Sequence, residues 1–169
     1  MTPIVAVLKT FFEEEEWETT FTEDTPPPRF YVPFQGEHSA WTCVALALED
    51  RGQMIFYSIA PSACPEDKRA VMMEFLHRAN YGLHMGNFEF DGTDGEIRFK
   101  TSIDVEGAAL NSTLCRNVIY MNCFMMERYL PGLLGLIYGD MTAVEAMRKV
   151  DGSHRTPDAP PTPDISNET

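Results

Sequence analysis

The stretch that decides the fold lies at residues 87–105 and reads NFEFDGTDGEIRFKTSIDV. Phe88 and Phe90 alternate with polar neighbours, and apolar side chains again occupy alternate positions in the second half, at Ile97, Phe99, Ile103 and Val105. Alternation with a period of two predicts strands that bury one face. Asp94-Gly95 is typical of a tight turn, so the stretch predicts a β-hairpin with one buried and one exposed side.

Upstream of this hairpin, the sequence predicts a helix and, before it, three further strands. Pro65 suits the first turn of the helix, and apolar residues recur at helical spacing until Gly82, at Val71, Met72, Phe75, Leu76 and Ala79. The strand-like runs cover residues 30–34, 40–49 and 53–60. Pro33 places the first run at a sheet edge or ends it early, because proline lacks a ladder donor. The second run is apolar on both faces, which predicts a strand covered on both sides.

The N-terminal region is predicted to be helical. Thr2 offers a capping hydroxyl, Pro3 suits the first helical position, and an apolar stripe begins at Ile4. The acidic run at 13–16 is expected to continue this helix on its solvated side. The triple proline at 26–28 is expected to form a stiff, extended connector to the first strand.

A long helix is predicted after the hairpin. Asn111 or Ser112 is expected to cap it, since both side chains can accept a hydrogen bond from the first turn. The helix is expected to run through Arg128, because Pro131 removes a helical hydrogen bond and forces a break or a restart.

The remaining signals complete the domain organisation. Thr142 and Glu145 have the spacing of a capping box, which predicts a last short helix. The element order is then helix, three strands, helix, two strands and helices, an α+β fold with an antiparallel sheet of about five strands flanked by helices. We expect one domain at residues 1–150, followed by a disordered, proline-rich, acidic tail at 151–169.

The chain is acidic, and its charge is unevenly distributed. It has 26 acidic and 13 basic residues, a net charge of -13, and seven of the acids lie at residues 11–24. Without a basic stripe, neither nucleic acid nor an anionic membrane surface is an expected partner. No apolar run is long enough to cross a bilayer, and no secretory signal is visible. We interpret the cysteines as buried free thiols and expect a cytoplasmic protein: Cys43, Cys64, Cys115 and Cys123.

Residues around the hairpin carry a resemblance to a known family. Residues 78–90 read RANYGLHMGNFEF, residues 94–107 read DGEIRFKTSIDVEG, and RYLPG follows at 128–132. These motifs, in this order, resemble the YbjN family, especially the form found in cyanobacteria. The resemblance extends over residues 4–150.

The resemblance implies a compact α+β protein that is similar in fold to the type III secretion chaperones, often dimeric, and binds other polypeptides. It implies no catalytic residue, and the family is also described as a sensory transduction regulator. We therefore expect a non-enzymatic, chaperone-like or regulatory adaptor. It would engage another protein or peptide through its sheet edge or an apolar helix groove, and a homodimer is a further expectation.

No pattern predicts a cofactor or a metal, since the histidines match no zinc-ligand spacing and a hairpin turn explains residues 91–96 better than a calcium loop. One alternative function is an enzyme of unknown reaction. It would use Asp104 and Glu106, or Cys64 with His77 as its base, the thiol pKa being lowered by the following helix N-terminus. The other alternative is a regulatory scaffold that binds basic partners through the acidic segment 13–24 or the C-terminal tail.

Two sets of residues are candidates for an interaction site. The first is polar and surrounds the helix end and the hairpin: Arg78, Asn80, Asn87, Glu89, Asp104 and Glu106. These residues form either a recognition surface or a capping and ion-pair network, and the structural interpretation is favoured because helix ends need caps and buried polar groups need partners. Met73 and Met126 lie off the apolar stripes and, if exposed, would mark an apolar interface.

Overall fold

The computed structural model describes residues 3–153 and confirms the predicted α+β class. Within these residues, four α-helices accompany one six-stranded sheet. The helices are α1 (Ile4–Glu14), α2 (Arg69–Asn80), α3 (Ser112–Tyr138) and α4 (Ala143–Ser153). The strands are β1 (Thr20–Thr22), β2 (Arg29–Gln35), β3 (Ala40–Leu48), β4 (Gln53–Ile59), β5 (Asn87–Phe90) and β6 (Ile97–Asp104).

The strands lie in the order β1-β2-β3-β4-β6-β5, and each neighbouring pair is antiparallel. The sequence predicted about five strands, and the additional one is β1. Its three residues, Thr-Phe-Thr, are too few to establish an alternating pattern. The two edges of the sheet are therefore β1 and β5.

The hydrophobic core lies between one face of the sheet and the helices. Phe30, Ala45 and Phe56 are side by side on this face and are at most 1% exposed. Helix α1 reaches the face through Phe12, whose ring centroid lies 5.4 Å from that of Phe30. Helix α3 reaches it through Asn122, whose side-chain amide donates to the Phe56 carbonyl at 2.9 Å.

The predicted hairpin is confirmed as β5 and β6, joined by residues 91–96. Asp91 N–H donates to the Glu96 carbonyl at 2.9 Å, which closes the loop. Gly95 has a φ of 84°, and a Cβ there would lie only 2.3 Å from the Cys64 carbonyl oxygen. Glycine is required at this position because the loop packs directly on the backbone that leads into α2.

The predicted break at Pro131 is wrong, because α3 continues from Ser112 to Tyr138 with the proline inside it. Pro131 is buried, and Gly132 lies so close to Phe75 of α2 that a Cβ would be 2.8 Å from the ring. This packing outweighs the local cost of an interior proline, about 3 kcal/mol. The predicted cap at the other end is confirmed, since Asn111 accepts from Leu114 N–H at 3.0 Å.

Helix α1 begins without the predicted side-chain cap. Thr2 lies outside the described residues, and Pro3 is the N-cap residue rather than the first helical residue. The first two N–H groups, of Ile4 and Val5, donate instead to the Glu49 carboxylate at 3.0 and 2.8 Å. An acid placed there also interacts favourably with the positive helix end.

The other helix termini differ in how well they were predicted. Helix α1 ends at Glu14 rather than continuing through the acidic run, and Glu16 has a φ of 57°. The capping box before α4 is confirmed, since Thr142 N–H donates to Glu145 at 2.8 Å and Glu145 N–H donates to Thr142 at 3.3 Å. Helix α4 extends to Ser153, three residues past the predicted domain boundary, and the rest of the predicted tail, 154–169, lies outside the described residues.

Candidate interaction surface

The face of the sheet opposite the core carries a continuous group of apolar side chains on the three strands β2, β3 and β4. Tyr31, Val44 and Tyr57 are direct neighbours in the strand register, and Leu46 lies beside Ile55 in the next row. Ile59 of β4 extends the group along its strand. We call these six residues, Tyr31, Val44, Leu46, Ile55, Tyr57 and Ile59, the open patch.

The open patch does not belong to the hydrophobic core. None of its six residues is in the core cluster or packs against it, although Val44 is only 8% exposed. Val44 lies between Tyr31 and Tyr57 in the strand register, and Tyr31 itself is 39% exposed. The prediction that β3 is covered on both sides is therefore wrong within residues 3–153. Apolar residues on both faces of a strand show that both faces are hydrophobic, without showing what lies above each one.

Charged residues of β5 and β6 border the open patch. The Arg98 guanidinium lies 4.4 Å from the centroid of the Tyr57 ring. Glu89 accepts hydrogen bonds from Arg98 at 2.8 Å and from Lys100 at 2.5 Å. Partial burial raises the pKa of the Glu89 carboxyl, but these two cations outweigh it, so that its pKa lies below the ordinary value. The border is thus an ordered set of ion pairs beside an apolar surface.

The six predicted polar residues do not form one cluster. Asn80 donates to the Phe88 carbonyl at 3.0 Å and accepts from Phe88 N–H at 2.7 Å, while Asn87 also donates to that carbonyl, at 3.3 Å. Arg78 pairs with Glu74 one turn away on α2. These contacts are of the structural kind, and a recognition role for these residues stays a prediction.

The other two members of this polar set lie at the far end of β6. Asp104 accepts from the Gln53 side chain at 2.9 Å and from Glu106 N–H at 2.9 Å. These bonds, the one from Gln53 first, hold the pKa of the Asp104 carboxyl below its usual value. Glu106 is exposed and contributes its backbone N–H rather than its carboxylate to this group.

Met73 and Met126 were expected to mark an apolar interface if exposed. Met73 is 52% exposed on α2, and its interface role stays a prediction, whereas Met126 of α3 is completely buried in the core and cannot contribute to a surface. The exposed large apolar side chains of α3 are instead Tyr120, Met121 and Phe124, on the side of the helix that faces away from the sheet, and Tyr138 at the end of the helix. A helical wheel with residues 118, 122, 125 and 129 on the buried side places Tyr120, Met121 and Phe124 on the exposed side.

Comparison with known proteins identifies the family. Residues 5–134 match the family model YbjN, described as "Putative bacterial sensory transduction regulator". The chain belongs to the YbjN family. The matched range contains the open patch, both edge strands, α2 and most of α3.

A solved structure supports the assignment at the level of the fold. The crystal structure described as that of YbjN, "a putative transcription regulator from E. coli", shows 7% sequence identity to this chain, with a TM-score of 0.54. The similarity covers 74% of this chain and 87% of the E. coli chain. No curated protein matches the sequence. The resemblance to the cyanobacterial form and to type III secretion chaperones stays a prediction.

Part of the acidic segment is integrated into the fold. Glu15 accepts hydrogen bonds from the Tyr120 hydroxyl at 2.7 Å and from Arg116, and these bonds lower the pKa of the Glu15 carboxyl. Trp17 stacks on Phe12 with ring centroids 6.1 Å apart. These contacts fix the connection from α1 to β1 onto α3. This part of segment 13–24 therefore does not form a freely accessible acidic arm.

The residues of the enzymatic alternative lie apart from one another. Cys64 is buried before the start of α2, whereas His77 is in the last turn, about 12 Å farther along the helix axis. Burial raises the pKa of the Cys64 thiol, which is the opposite of the predicted activation. Among residues 3–153, no group of three or more histidine, cysteine or acidic residues has the arrangement of a metal site, and no helix is long and apolar enough to span a membrane.

Proposed function

We propose that this member of the YbjN family is a non-enzymatic regulatory adaptor that binds another polypeptide through the open patch. The single observation that carries the proposal is a continuous apolar surface on three strands that is separate from the core and that no described helix covers. Large contiguous apolar patches on a protein surface mark interaction sites. The family description as a sensory transduction regulator supports a regulatory role.

The chemistry of the open patch favours a protein partner. Burying apolar surface contributes about 25 cal/mol per Å², and aromatic residues are enriched at the centres of protein interfaces. Tyr31 and Tyr57 provide such residues, and Arg98 above the Tyr57 ring provides a polar border. The combination of an apolar centre with a charged rim is the usual composition of a protein interface.

Strand addition at a sheet edge, one of the two binding modes expected from the sequence, is less well supported than binding on the face of the sheet. Strand addition requires free backbone groups on an edge strand, but the Asn80 side chain occupies both outward groups of Phe88 in β5. The opposite edge strand, β1, offers only three residues. For localisation we propose the cytoplasm, because the free thiols of Cys43, Cys64, Cys115 and Cys123 suit a reducing compartment.

Site-specific photo-crosslinking in the native cell tests the proposal. A photoreactive amino acid replaces Ile55 in the open patch, and the matched control carries it at Met73, which is more exposed but lies on α2. We expect a specific adduct from position 55 and none from position 73. Equal adducts from the two positions would count against the open patch.

A direct binding measurement completes the test. The protein captured at position 55 is purified, and its affinity is compared for the wild type, Ile55→Asp and Met73→Asp. We expect Ile55→Asp to weaken binding by at least about tenfold, because an unpaired carboxylate buried in an interface costs several kcal/mol. Unchanged affinity in Ile55→Asp would refute the proposal.

A further inference from the structure

A small polar group lies inside the core, between the sheet and α3. Cys43 of β3 is directly beside Ser58 of β4 in the strand register, and both residues are completely buried. The Cys43 Sγ lies 3.3 Å from the Ser58 Oγ, which accepts from the Trp41 indole N–H at 3.0 Å. From the opposite side, the Cys123 thiol of α3 donates a hydrogen bond to the Cys43 sulfur. Two thiols from distant parts of the chain therefore meet in the core.

Helix α3 is fastened to the sheet by the residue next to Cys123. The Asn122 side-chain amide donates to the Phe56 carbonyl of β4 at 2.9 Å and to the Phe99 carbonyl of β6 at 3.0 Å. Phe99 is the direct neighbour of Ser58 in the register of β4 and β6. An amide that bonds to two adjacent strands fixes the position of this helical turn over them. The fold itself therefore holds Cys123 against Cys43.

The two thiols differ in how easily each loses its proton. Burial raises the pKa of the Cys43 thiol, but hydrogen bonds from Cys123, Ser58 and Trp41 outweigh it, so that its pKa lies below the ordinary value. The hydrogen bond to Cys43, followed by burial, raises the pKa of the Cys123 thiol. The thiolate is the form of cysteine that attacks an oxidant. Cys43 is therefore the attacking thiol, and Cys123 is placed to react with its product.

The other two cysteines provide internal controls. Cys64 precedes α2, and its thiol donates to the Pro65 carbonyl at 3.5 Å. Burial raises the pKa of this thiol, and it raises the pKa of Cys115, in the first turn of α3, to about 11. Both thiols should react more slowly than Cys43, because a smaller fraction of each is ionised at neutral pH.

We infer that Cys43 and Cys123 form a reversible intramolecular disulfide when the protein meets hydrogen peroxide. The Cys43 thiolate attacks one peroxide oxygen, the O–O bond breaks, and the second oxygen leaves as water with the thiol proton. The Cys123 sulfur then attacks the sulfenic acid on Cys43, the S–O bond breaks, and a second water leaves with the Cys123 proton. Two thiols give up two electrons, which reduce one peroxide to two waters. A dithiol reductant restores both thiols by exchange.

The disulfide joins α3 to the central part of the sheet. The bond brings the two sulfur atoms to about 2.05 Å and closes the long loop between residues 43 and 123. Closing such a loop restrains the unfolded chain, and Tm should rise by roughly 10 °C. Val44, the next residue of β3, belongs to the open patch, so the bond forms directly beneath that surface. Disulfides of reducing compartments are usually transient and redox-sensing, as this one would be.

Peptide mapping of the full-length chain provides the first test. The folded protein is treated with hydrogen peroxide, free thiols are blocked with N-ethylmaleimide, and the chain is digested without reductant. We expect one crosslinked pair of peptides, containing Cys43 and Cys123, with Cys64 and Cys115 blocked, and we expect dithiothreitol to reverse the crosslink. Cys43→Ser and Cys123→Ser should abolish it, whereas the matched control Cys115→Ser should keep it. Circular dichroism spectra show that each variant is folded.

Trapping of the intermediate with dimedone tests the order of the two steps. In Cys123→Ser, the sulfenic acid on Cys43 has no second thiol to react with and should be trapped. In Cys43→Ser, trapping at Cys123 should be at least about tenfold weaker, as the pKa difference requires. Equal trapping at the two positions would show that Cys43 is not the attacking thiol.

Three results would overturn the inference as a whole. The first is that all four thiols of the folded protein stay reduced in a peroxide concentration that oxidises the chain unfolded in urea. The second is oxidation of Cys64 or Cys115 ahead of Cys43. The third is a disulfide between two chains in place of the intramolecular one. A protein that carries the Cys43–Cys123 bond with an unchanged Tm would refute the proposed joining of α3 to the sheet.

Discussion

Asn80→Ala opens the backbone of the edge strand β5. In the wild type, the Asn80 side chain accepts from Phe88 N–H at 2.7 Å and donates to the Phe88 carbonyl at 3.0 Å, so that it takes the place of a neighbouring strand. Alanine removes both bonds. Asn87 still reaches the same carbonyl at 3.3 Å, so most of the loss falls on the Phe88 N–H.

The size of the effect follows from these contacts. A hydrogen bond contributes about 0.5–1.5 kcal/mol to stability, so two bonds give an expected loss of about 1–3 kcal/mol in the free energy of unfolding. For a domain of this length, each kcal/mol corresponds to about 2–4 °C in Tm. Urea unfolding and thermal unfolding measure the loss. Hydrogen exchange of the Phe88 amide, observed by NMR, should be faster in the variant.

Two matched variants make the test specific. Asn80→Asp keeps an acceptor for Phe88 N–H and loses the donor, so its loss should be smaller than that of Asn80→Ala. Arg78→Ala removes only an exposed ion pair with Glu74 in the same helix and should change stability by no more than about 0.5 kcal/mol. The reasoning is refuted if Asn80→Ala changes stability no more than Arg78→Ala and the Phe88 amide exchanges at the wild-type rate.

Three further replacements test other parts of the fold. Gly132→Ala places a Cβ 2.8 Å from the Phe75 ring, and urea unfolding should show a loss of about 1–3 kcal/mol from overpacking. A variant as stable as the wild type would contradict this close approach. Glu49→Ala removes the cap of α1 and should cost about 1 kcal/mol in the same assay, with Asp50→Ala as a neighbouring control. The pKa of the Glu15 carboxyl is lowered in the folded state, so the stability that Glu15 contributes is present above the ordinary carboxyl pKa and is lost as the pH falls towards the lowered value. Glu15→Gln should therefore reduce the free energy of unfolding at neutral pH and make it less sensitive to acid. Parallel stability–pH curves for the variant and the wild type would contradict this.

Local signals predicted the elements that local chemistry determines. The alternation around Asp94-Gly95 predicted the hairpin, and the spacing of Thr142 and Glu145 predicted the start of α4. Pro131 was misinterpreted because the local cost of proline is offset by packing of α3 on α2, which no pattern within the helix reveals. β1 was missed because a three-residue strand is fixed by pairing with β2 rather than by its own composition.

The interaction surface could be predicted only in part, for a related reason. Periodicity correctly indicated that β3 is apolar on both faces, but burial depends on which elements cover each face, and the four helices of residues 3–153 cover only one. Met126 was assigned to the surface because it lies outside the apolar stripe that the sequence suggested for α3. The buried side of the helix is wider than that stripe and includes Met126.

The pattern of polar and apolar residues across the sheet gives the best reason to regard the open patch as functional. An antiparallel sheet with one solvated face normally has polar residues on that face, as β6 does with Arg98, Lys100, Ser102 and Asp104. β3 and β4 depart from this rule at adjacent positions, where Val44, Leu46 and Ile55 face away from the core. These side chains do not belong to the core, and they would promote aggregation if they were left exposed. A partner that covers them accounts for both facts.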